Sequence, residues 1–155
     1  GQITPLSELG TDGERIRFRH MGSLPDILYK QFPEKHPLHF SRDQLRVTDG
    51  YINAPLEGVF LRAPYLHNAS VLTLAELVNL EPRRPQFYRG QNTFDPVRVG
   101  LQSPLSTDKR NYFFFDTTQP GNSNAGHNYP WPYDPNMTDE RKQQLRDLVE
   151  YMKTF

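Results

Sequence analysis

The stretch that decides the fold is Pro55–Leu80, PLEGVFLRAPYLHNASVLTLAELVNL, in which an irregular turn leads into a helix start. Thr73 is a favourable N-cap residue and Glu76 follows it by three positions, which is the pattern of a capping box. Apolar residues then recur at helical spacing, at Leu74, Leu77, Val78 and Leu80. Pro82 and Pro85 cannot continue a helix. The stretch therefore predicts a short helix between Thr73 and Pro82.

A longer helix is predicted at the end of the chain, over Thr138–Phe155. Thr138 can cap it, and the acidic residues that follow lie at the positive end of the helix dipole. Apolar residues recur at i, i+3, i+4, i+7 and i+10, at Leu145, Leu148, Val149, Met152 and Phe155. This spacing places them on one face, which predicts that the helix packs on a core.

The first third of the chain has weaker patterns. Residues 1–22 have no clear period and are interpreted as an irregular lead-in. Ser23–Phe32 is predicted to be a short helix, since Ser23 can cap it and Pro33 ends it. Residues 33–54 are rich in turn formers and are predicted to be loop, with at most one helical turn near Ser41–Leu45.

The middle of the chain is predicted to hold one β-hairpin. Val97–Leu101 alternates in the manner of a half-buried strand and can pair with the aromatic segment Asn111–Thr117. Within that segment, Phe113-Phe114-Phe115 is interpreted as a buried strand. Gln119–Pro135 is predicted to be loop from its composition.

Composition excludes several classes of function. The 155 residues suit a single domain or part of one, and 18 basic residues balance 18 acidic ones, which gives no reason to expect a nucleic acid partner. No apolar run approaches the roughly 20 residues that span a bilayer. The chain has 14 prolines, 10 glycines and no cysteine, so disulfides cannot stabilise it. A cofactor or a partner chain is then the expected organising element, although loop-rich domains without either exist.

Two of the five histidines are interpreted as surface residues. His36 and His39 are three positions apart, but Pro37 lies between them and disfavours a shared helical face. A zinc site needs four well-placed ligands, and neither a cysteine nor a His-Glu cluster completes one here.

His67 is the first candidate binding residue. Arg62 and His67 are two donors five positions apart, and Pro64 stiffens the link between them. This arrangement suits a fixed pair of carboxylates, because arginine binds carboxylates in bidentate fashion. The alternative is a half-buried histidine that bonds to the backbone.

His127 is the second candidate. It lies in Gly121–Tyr129, GNSNAGHNY, where two glycines and several small polar residues allow the loop to approach a ligand closely. As a metal ligand it would need a neutral nitrogen facing the metal and an acceptor behind the ring. The alternative is a solvated side chain in a surface loop.

Three pieces of the chain together resemble the C-terminal part of the dihaem cytochrome c peroxidase superfamily, nearest to its rubber-oxygenase-like branch. They are Pro55–Leu77, Asp116-Thr117 with Gly121–Tyr129, and the terminal helix that ends LVEYMKTF. The ordered combination covers residues 50–155. The chain departs from this family in one respect, because without cysteine it has no Cys-x-x-Cys-His segment to attach a haem covalently.

The resemblance implies that His127 is the distal axial ligand of the iron of the second haem. Arg62, Tyr65 and His67 would line that haem near its propionates. Separately from the resemblance, we expect Tyr65 and Trp131 to belong to the packing shell. The methionine ligand of the classical peroxidases would fall at Glu81, which cannot serve, and this favours His127.

The fold that the resemblance implies is mainly α and cytochrome c-like, with long ordered loops and room for one small β-hairpin. The implied function is the C-terminal haem-pocket portion of a periplasmic c-type multihaem oxidoreductase, which acts in electron transfer or in peroxide or oxygen chemistry. Haem c would belong to the longer parent protein, with a redox partner protein left open. The chain alone is expected to show little activity.

Two alternatives stay open from the sequence. One is a non-catalytic, cofactor-free interaction module whose aromatic loops bind a partner chain. The other is a mononuclear metal site that combines His67 and His127 with a carboxylate such as Asp116.

Overall fold

The structure is a computed structural model that describes residues 2–17, 31–32, 34–36, 48–104 and 111–155. Of the described residues, 24% are helical and 17% lie in strands or bridges. The fold is therefore mixed, and the prediction that it is mainly α was wrong. The prolines and glycines interrupt the helices. Short antiparallel strand pairs therefore make part of the backbone hydrogen bonds that longer helices would have made.

The described helices are short, apart from the last. Four are α-helices and one is a 3-10 turn, at Leu6–Leu9, Glu14–Arg17, Val59–Leu61 (the 3-10 turn), Leu74–Leu77 and Asp139–Met152. We refer to Leu74–Leu77 as the capped helix and to Asp139–Met152 as the terminal helix. No helix of the described ranges is long and apolar enough to cross a membrane.

The described strands form three separate antiparallel pairs. Ile3–Pro5 pairs with Gly50–Ile52. Gln86–Arg89 pairs with Phe113–Asp116, and Phe94–Asp95 pairs with Gly100–Leu101.

The predicted hairpin between Val97–Leu101 and Asn111–Thr117 was wrong. The Asp95 carboxylate accepts the backbone N–H groups of Val97 and Arg98, at 2.9 Å and 3.0 Å, and this turn sends the chain back on itself. Gly100–Leu101 consequently pairs with the strand just before the turn, and the aromatic segment pairs with Gln86–Arg89 instead.

The aromatic strand is only partly buried, contrary to prediction. Phe115 is 4% exposed and packs with Phe87 and Leu72, whereas Phe113 is 65% exposed and Phe114 46% exposed. Phe114 lies on the face opposite to Phe115, and Phe113 shares the face of Phe115 but lies at the first position of the strand, outside the cluster of Leu72, Phe87 and Phe115.

The N-terminal segment is more regular than predicted. Ile3–Pro5 pairs with Gly50–Ile52, so residues 1–22 are not simply an irregular lead-in and residues 33–54 are not all loop. The helix predicted over Ser23–Phe32, except for its last two residues, and the turn predicted near Ser41–Leu45 lie outside the described residues.

Both well-marked helices are confirmed. Thr73 Oγ1 accepts the backbone N–H of Glu76, and the Glu76 carboxylate accepts the backbone N–H of Thr73, which completes the capping box. Thr138 caps the terminal helix by accepting the N–H of Arg141 at 3.3 Å. The core contains Leu145, Val149 and Met152 of the terminal helix, packed with residues that include Leu74, Val78, Val71 and Val99.

Candidate functional site

The structure brings together the two segments that hold the candidate histidines. Asn68 Nδ2 donates to the carbonyl oxygens of Gly121 and Ser123, at 3.1 Å and 2.8 Å. Ser70 Oγ donates to the same Ser123 oxygen at 3.2 Å. The turn after His67 is therefore fixed directly to Gly121–Tyr129, which we call the His127 loop.

Arg83 attaches the His127 loop to the capped helix. Its guanidinium makes five hydrogen bonds, which equals its number of N–H donors. The acceptors are the backbone carbonyl oxygens of Glu76, Leu77, Asn124, Gly126 and His127. Because the acceptors belong to two separate segments, one side chain determines how the loop sits on the end of the helix.

The backbone of the His127 loop also contacts the N-terminal segment. The N–H of His127 donates to the carbonyl oxygen of Leu9 at 2.9 Å. Gly126 has a φ of +81°, and a Cβ there would come within 2.5 Å of the backbone nitrogen of Thr11. His127 itself has a φ of +51°, in the left-handed region that non-glycine residues seldom adopt. Such backbone strain persists only where the surrounding structure holds it, as these contacts do.

The imidazole of His127 is half-buried and chemically available. Within the described part of the chain, no hydrogen bond engages either ring nitrogen. Burial, the nearby charge of Arg83 and the nearby His67 all lower the pKa of His127 below its ordinary value. The ring is therefore neutral at pH 7, which is the form that binds a metal.

One side of His127 borders a cavity of about 410 Å³, which we call the apolar cavity. Its other walls are apolar or aromatic side chains, from Leu77, Val78, Tyr129, Pro130, Leu148 and Met152. The capped helix and the terminal helix thus provide the walls, and the His127 loop provides the one imidazole. The volume lies in the range of ordinary small-molecule and cofactor sites.

A second cavity of about 380 Å³ also borders His127 and Tyr129; we call it the tyrosine cavity. Its remaining walls come from the first strand pair and its surroundings, from Thr4, Leu9, Tyr51, Ile52, Asn53, Ala54 and Leu56. No charged side chain is among these lining residues.

His67 lies beside Tyr51 and close enough to His127 to affect its pKa. The rings of Tyr51 and His67 stack with centroids 5.3 Å apart. Burial lowers the pKa of His67, and so does the charge of Arg15, whereas Asp12 acts in the opposite direction. Arg15 also donates to the carbonyl oxygen of His67 at 3.4 Å.

The other residues named from the sequence are not brought to either cavity. Arg62 is exposed and donates to the Pro55 carbonyl oxygen at 3.4 Å. Tyr65 is 6% exposed in the core, with its hydroxyl 3.2 Å from the Val59 oxygen and 3.4 Å from the Val99 oxygen. Burial raises the pKa of Tyr65 above its ordinary value.

Trp131 and Asp116 also lie outside the walls of both cavities. The Arg141 guanidinium covers the Trp131 ring, 4.4 Å from its centroid. The Asp116 carboxylate bonds to Thr118, which lowers the pKa of Asp116. Throughout the described ranges, no three His, Cys, Asp or Glu residues are grouped to hold a metal, so the site of His67, His127 and Asp116 is not assembled. His36 lies against Phe32, with ring centroids 4.8 Å apart, and His39 is outside the described residues.

Sequence reasoning missed three residues of this region. Arg83 was not among the candidate residues, because its partners are backbone carbonyl groups, which a sequence pattern does not reveal. Arg15 and Tyr51 lie in segments interpreted as irregular, and their approach to His67 depends on the pairing of Ile3–Pro5 with Gly50–Ile52. The one available signal was the aromatic and β-branched pair Tyr51-Ile52, two residue types that favour strands.

Comparisons with known proteins give a family and two relatives. Residues 50–89 match the RoxA-like, cytochrome c-like family. The uncharacterized protein y4iJ of Sinorhizobium fredii is 36% identical over an alignment of 111 residues, and the match covers 68% of this chain and 18% of that protein. The uncharacterized protein y4iM of the same organism is 31% identical over an alignment of 117 residues, and the match covers 68% of this chain and 27% of that protein. No solved structure matches the chain significantly.

The matched range contains part of the site. It includes His67, the capped helix and Arg83, and it ends before the His127 loop. The chain spans less than a third of the length of either relative. Through residues 50–89, the chain is related to RoxA-like, cytochrome c-like proteins.

Proposed function

We propose that the chain forms part of a haem c pocket in a longer c-type multihaem oxidoreductase of the dihaem cytochrome c peroxidase superfamily, in which His127 would bind the haem iron. The observation that carries the proposal is the His127 imidazole, which has no hydrogen-bond partner in the described residues and lies at the wall of the apolar cavity. The family match at residues 50–89 supports a cytochrome-related role.

The residues that line the apolar cavity meet some of the requirements of a haem site. A neutral imidazole nitrogen is a common axial ligand of haem iron, and apolar walls suit the macrocycle. The chain has no cysteine, so a covalent attachment would have to come from another part of the parent protein. Met152 brings a thioether to the same cavity and is a second side chain that haem iron can accept.

When bound, the haem supplies the electron-transfer, peroxide or oxygen chemistry, and the chain supplies ligand, shape and polarity. Arg83 and the strained backbone hold the His127 ring in place. Leu77, Val78 and Leu148 exclude water from the cavity. His67 is proposed as a polar contact near the propionates, together with Arg15, whose charge acts on His67. Arg62 and Tyr65 lie away from both cavities in this structure. They would contact the haem propionates only if the parent protein positioned these side chains differently.

The proposal places the parent protein in the bacterial periplasm, where c-type multihaem oxidoreductases act. The redox partner would be another protein or a small electron carrier. The isolated chain is expected to have little activity of its own.

A haem titration of the purified chain tests the proposal. We expect saturable binding with a Soret band, and His127→Ala should weaken the binding or change the spectrum while far-UV circular dichroism stays the same. Added imidazole should restore the wild-type spectrum in His127→Ala, because it replaces the lost ligand. His36→Ala is the matched histidine control, and Met152→Leu separates the thioether from the imidazole. An unchanged spectrum in a folded His127→Ala variant would exclude His127 as the ligand.

A second candidate function is the cofactor-free interaction module. The observation that favours it is an exposed aromatic patch around a cavity of about 530 Å³, lined by Tyr88, Tyr112, Phe113 and Phe114. Patches of exposed aromatic side chains are frequent at protein interfaces. A well-folded chain that binds no haem would favour this function over the first.

A further inference from the structure

The tyrosine cavity has features of a separate small-molecule site. It shares His127 and Tyr129 with the apolar cavity, but its other walls belong to different elements. Ile52 is 67% exposed and Leu56 is 49% exposed, so the cavity has an apolar rim at the surface. Exposed apolar side chains around a concave site are typical of ligand-binding positions.

Two polar groups at this cavity lack the partners that buried groups ordinarily have. The Tyr51 hydroxyl oxygen is buried and makes no hydrogen bond with the part of the chain that the structure describes. The His127 imidazole likewise has no hydrogen-bond partner in the described ranges. A buried hydroxyl without a partner is unfavourable, and such a group calls for a ligand or a water.

The lining also restricts the charge and shape of a ligand. Among the described residues that line the cavity, none carries a charged side chain, and the charges of Arg15 and Asp12, which reach Tyr51 from outside the lining, act on it in opposite directions. A charged ligand would lose its hydration without gaining an ion pair, which disfavours it. Tyr51 and Tyr129 offer aromatic rings, which pack well against another ring.

We propose that the tyrosine cavity binds a small, uncharged aromatic alcohol of the phenol or hydroquinone class. The ring of the ligand lies against the apolar walls, and its hydroxyl bonds to the Tyr51 hydroxyl or the His127 imidazole. This site goes beyond the proposed haem contact and does not require haem, since the two ligands occupy different cavities.

Fluorine NMR on the haem-free chain tests the site, with 4-fluorophenol as the probe. We expect saturable binding of 4-fluorophenol, about fivefold tighter than that of fluorobenzene, which lacks the hydroxyl. The anion 4-fluorobenzoate should bind more weakly than either. Equal affinities for the three probes, or no binding of 4-fluorophenol, would overturn the proposal.

Amino-acid substitutions show whether 4-fluorophenol binds in the tyrosine cavity. Tyr51→Phe removes only the hydroxyl and should weaken 4-fluorophenol about fivefold while leaving fluorobenzene unchanged. Ala54→Leu narrows the cavity at an exposed position and should weaken both probes. The matched control is Tyr133→Phe, which removes a hydroxyl from an exposed tyrosine away from both cavities. Unchanged binding in Tyr51→Phe and in Ala54→Leu would place the probe elsewhere and overturn the site.

The outcome is independent of the haem titration. A chain that binds haem and not 4-fluorophenol would refute this site alone. A chain that binds 4-fluorophenol in a Tyr51-dependent manner and no haem would refute the proposed haem contact alone.

Discussion

Arg83 donates to the backbone carbonyl oxygen of His127 through Nη2, at 3.1 Å, while Nη1 donates to the carbonyl oxygen of Gly126 at 2.7 Å. The same guanidinium bonds to the carbonyl oxygens of Glu76 and Leu77 at the capped helix. One side chain therefore joins the segment that matches a cytochrome c-like family to the loop that carries the candidate ligand. The position of the His127 ring over the apolar cavity depends on this connection.

Replacing Arg83 with lysine should destabilise the protein. Lysine keeps the charge but cannot supply five donors in a planar fork, so buried carbonyl groups of the loop lose their partners. We expect the free energy of unfolding to fall by about 2–3 kcal/mol, measured by urea denaturation. The matched control is Arg146→Lys on the exposed face of the terminal helix, which should change it by less than about 0.5 kcal/mol. Equal effects of the two substitutions would show that Arg83 does not hold the loop.

Ala69 provides a test of backbone strain next to His67. Its φ is +57°, in the left-handed region where a Cβ is unfavourable. Ala69→Gly should therefore raise the free energy of unfolding by about 0.5–1 kcal/mol, despite the greater freedom of glycine in the unfolded chain. Ala125→Gly, at an exposed position outside this region of φ, is the control and should lower it by about the same amount. A loss of stability in both variants would contradict the assigned backbone conformation.

The features that could be predicted from the sequence are those set by neighbouring residues. The capping box needs only Thr73 and Glu76, three positions apart, and it formed as predicted. The terminal helix follows from its cap and the apolar spacing of Leu145, Val149 and Met152, all of which are buried. Phe155, at the frayed end of the same pattern, is 39% exposed, because the helix ends before it.

The features that could not be predicted depend on contacts between distant residues. Gln86–Arg89 pairs with Phe113–Asp116 because Phe87 and Phe115 can then pack on Leu72, and nothing local to either strand identifies the other. Asp95-Pro96 is a residue pair typical of turns, but nothing in the sequence indicates how short the hairpin is that this turn closes. A resemblance to a family grouped the two histidine segments, whereas the side chains that hold them together, such as Asn68, could be identified only in the structure.

Gly126 should not accept a side chain. Its φ is +81°, and a Cβ would contact the backbone of Leu9 and Thr11 too closely for either to adjust by a rotamer change. Gly126→Ala should lower the free energy of unfolding by about 3 kcal/mol or more, through both strain and the clash. Gly58→Ala separates the two causes, because Gly58 has a φ of +66° with nothing within 4 Å of its Cβ position. That control should cost only about 1 kcal/mol. Equal losses would mean that the His127 loop is not packed on the N-terminal segment.

Stability should depend on pH through His67 and His127. Burial lowers the pKa of both rings in the folded state, so they remain neutral at a pH where unfolded histidines, with a pKa of about 6.5, begin to bind protons. The unfolded state then holds more protons, and the free energy of unfolding should fall as the pH drops through about 6.5 and stop falling below the folded pKa values. Urea denaturation between pH 8 and pH 5 measures this change.

The double variant His67→Gln/His127→Gln isolates the two rings from the carboxylates that also titrate in acid. It should lose part of the pH dependence that wild type shows between pH 7 and pH 5.5, whereas His36→Gln, at an exposed position, should retain it. Histidine NMR titration gives the direct comparison, because both rings should titrate below the ordinary histidine pKa. If the double variant and wild type had the same pH profile, the two imidazoles would be solvated in the folded protein, and His127 would not be held neutral at the wall of the apolar cavity.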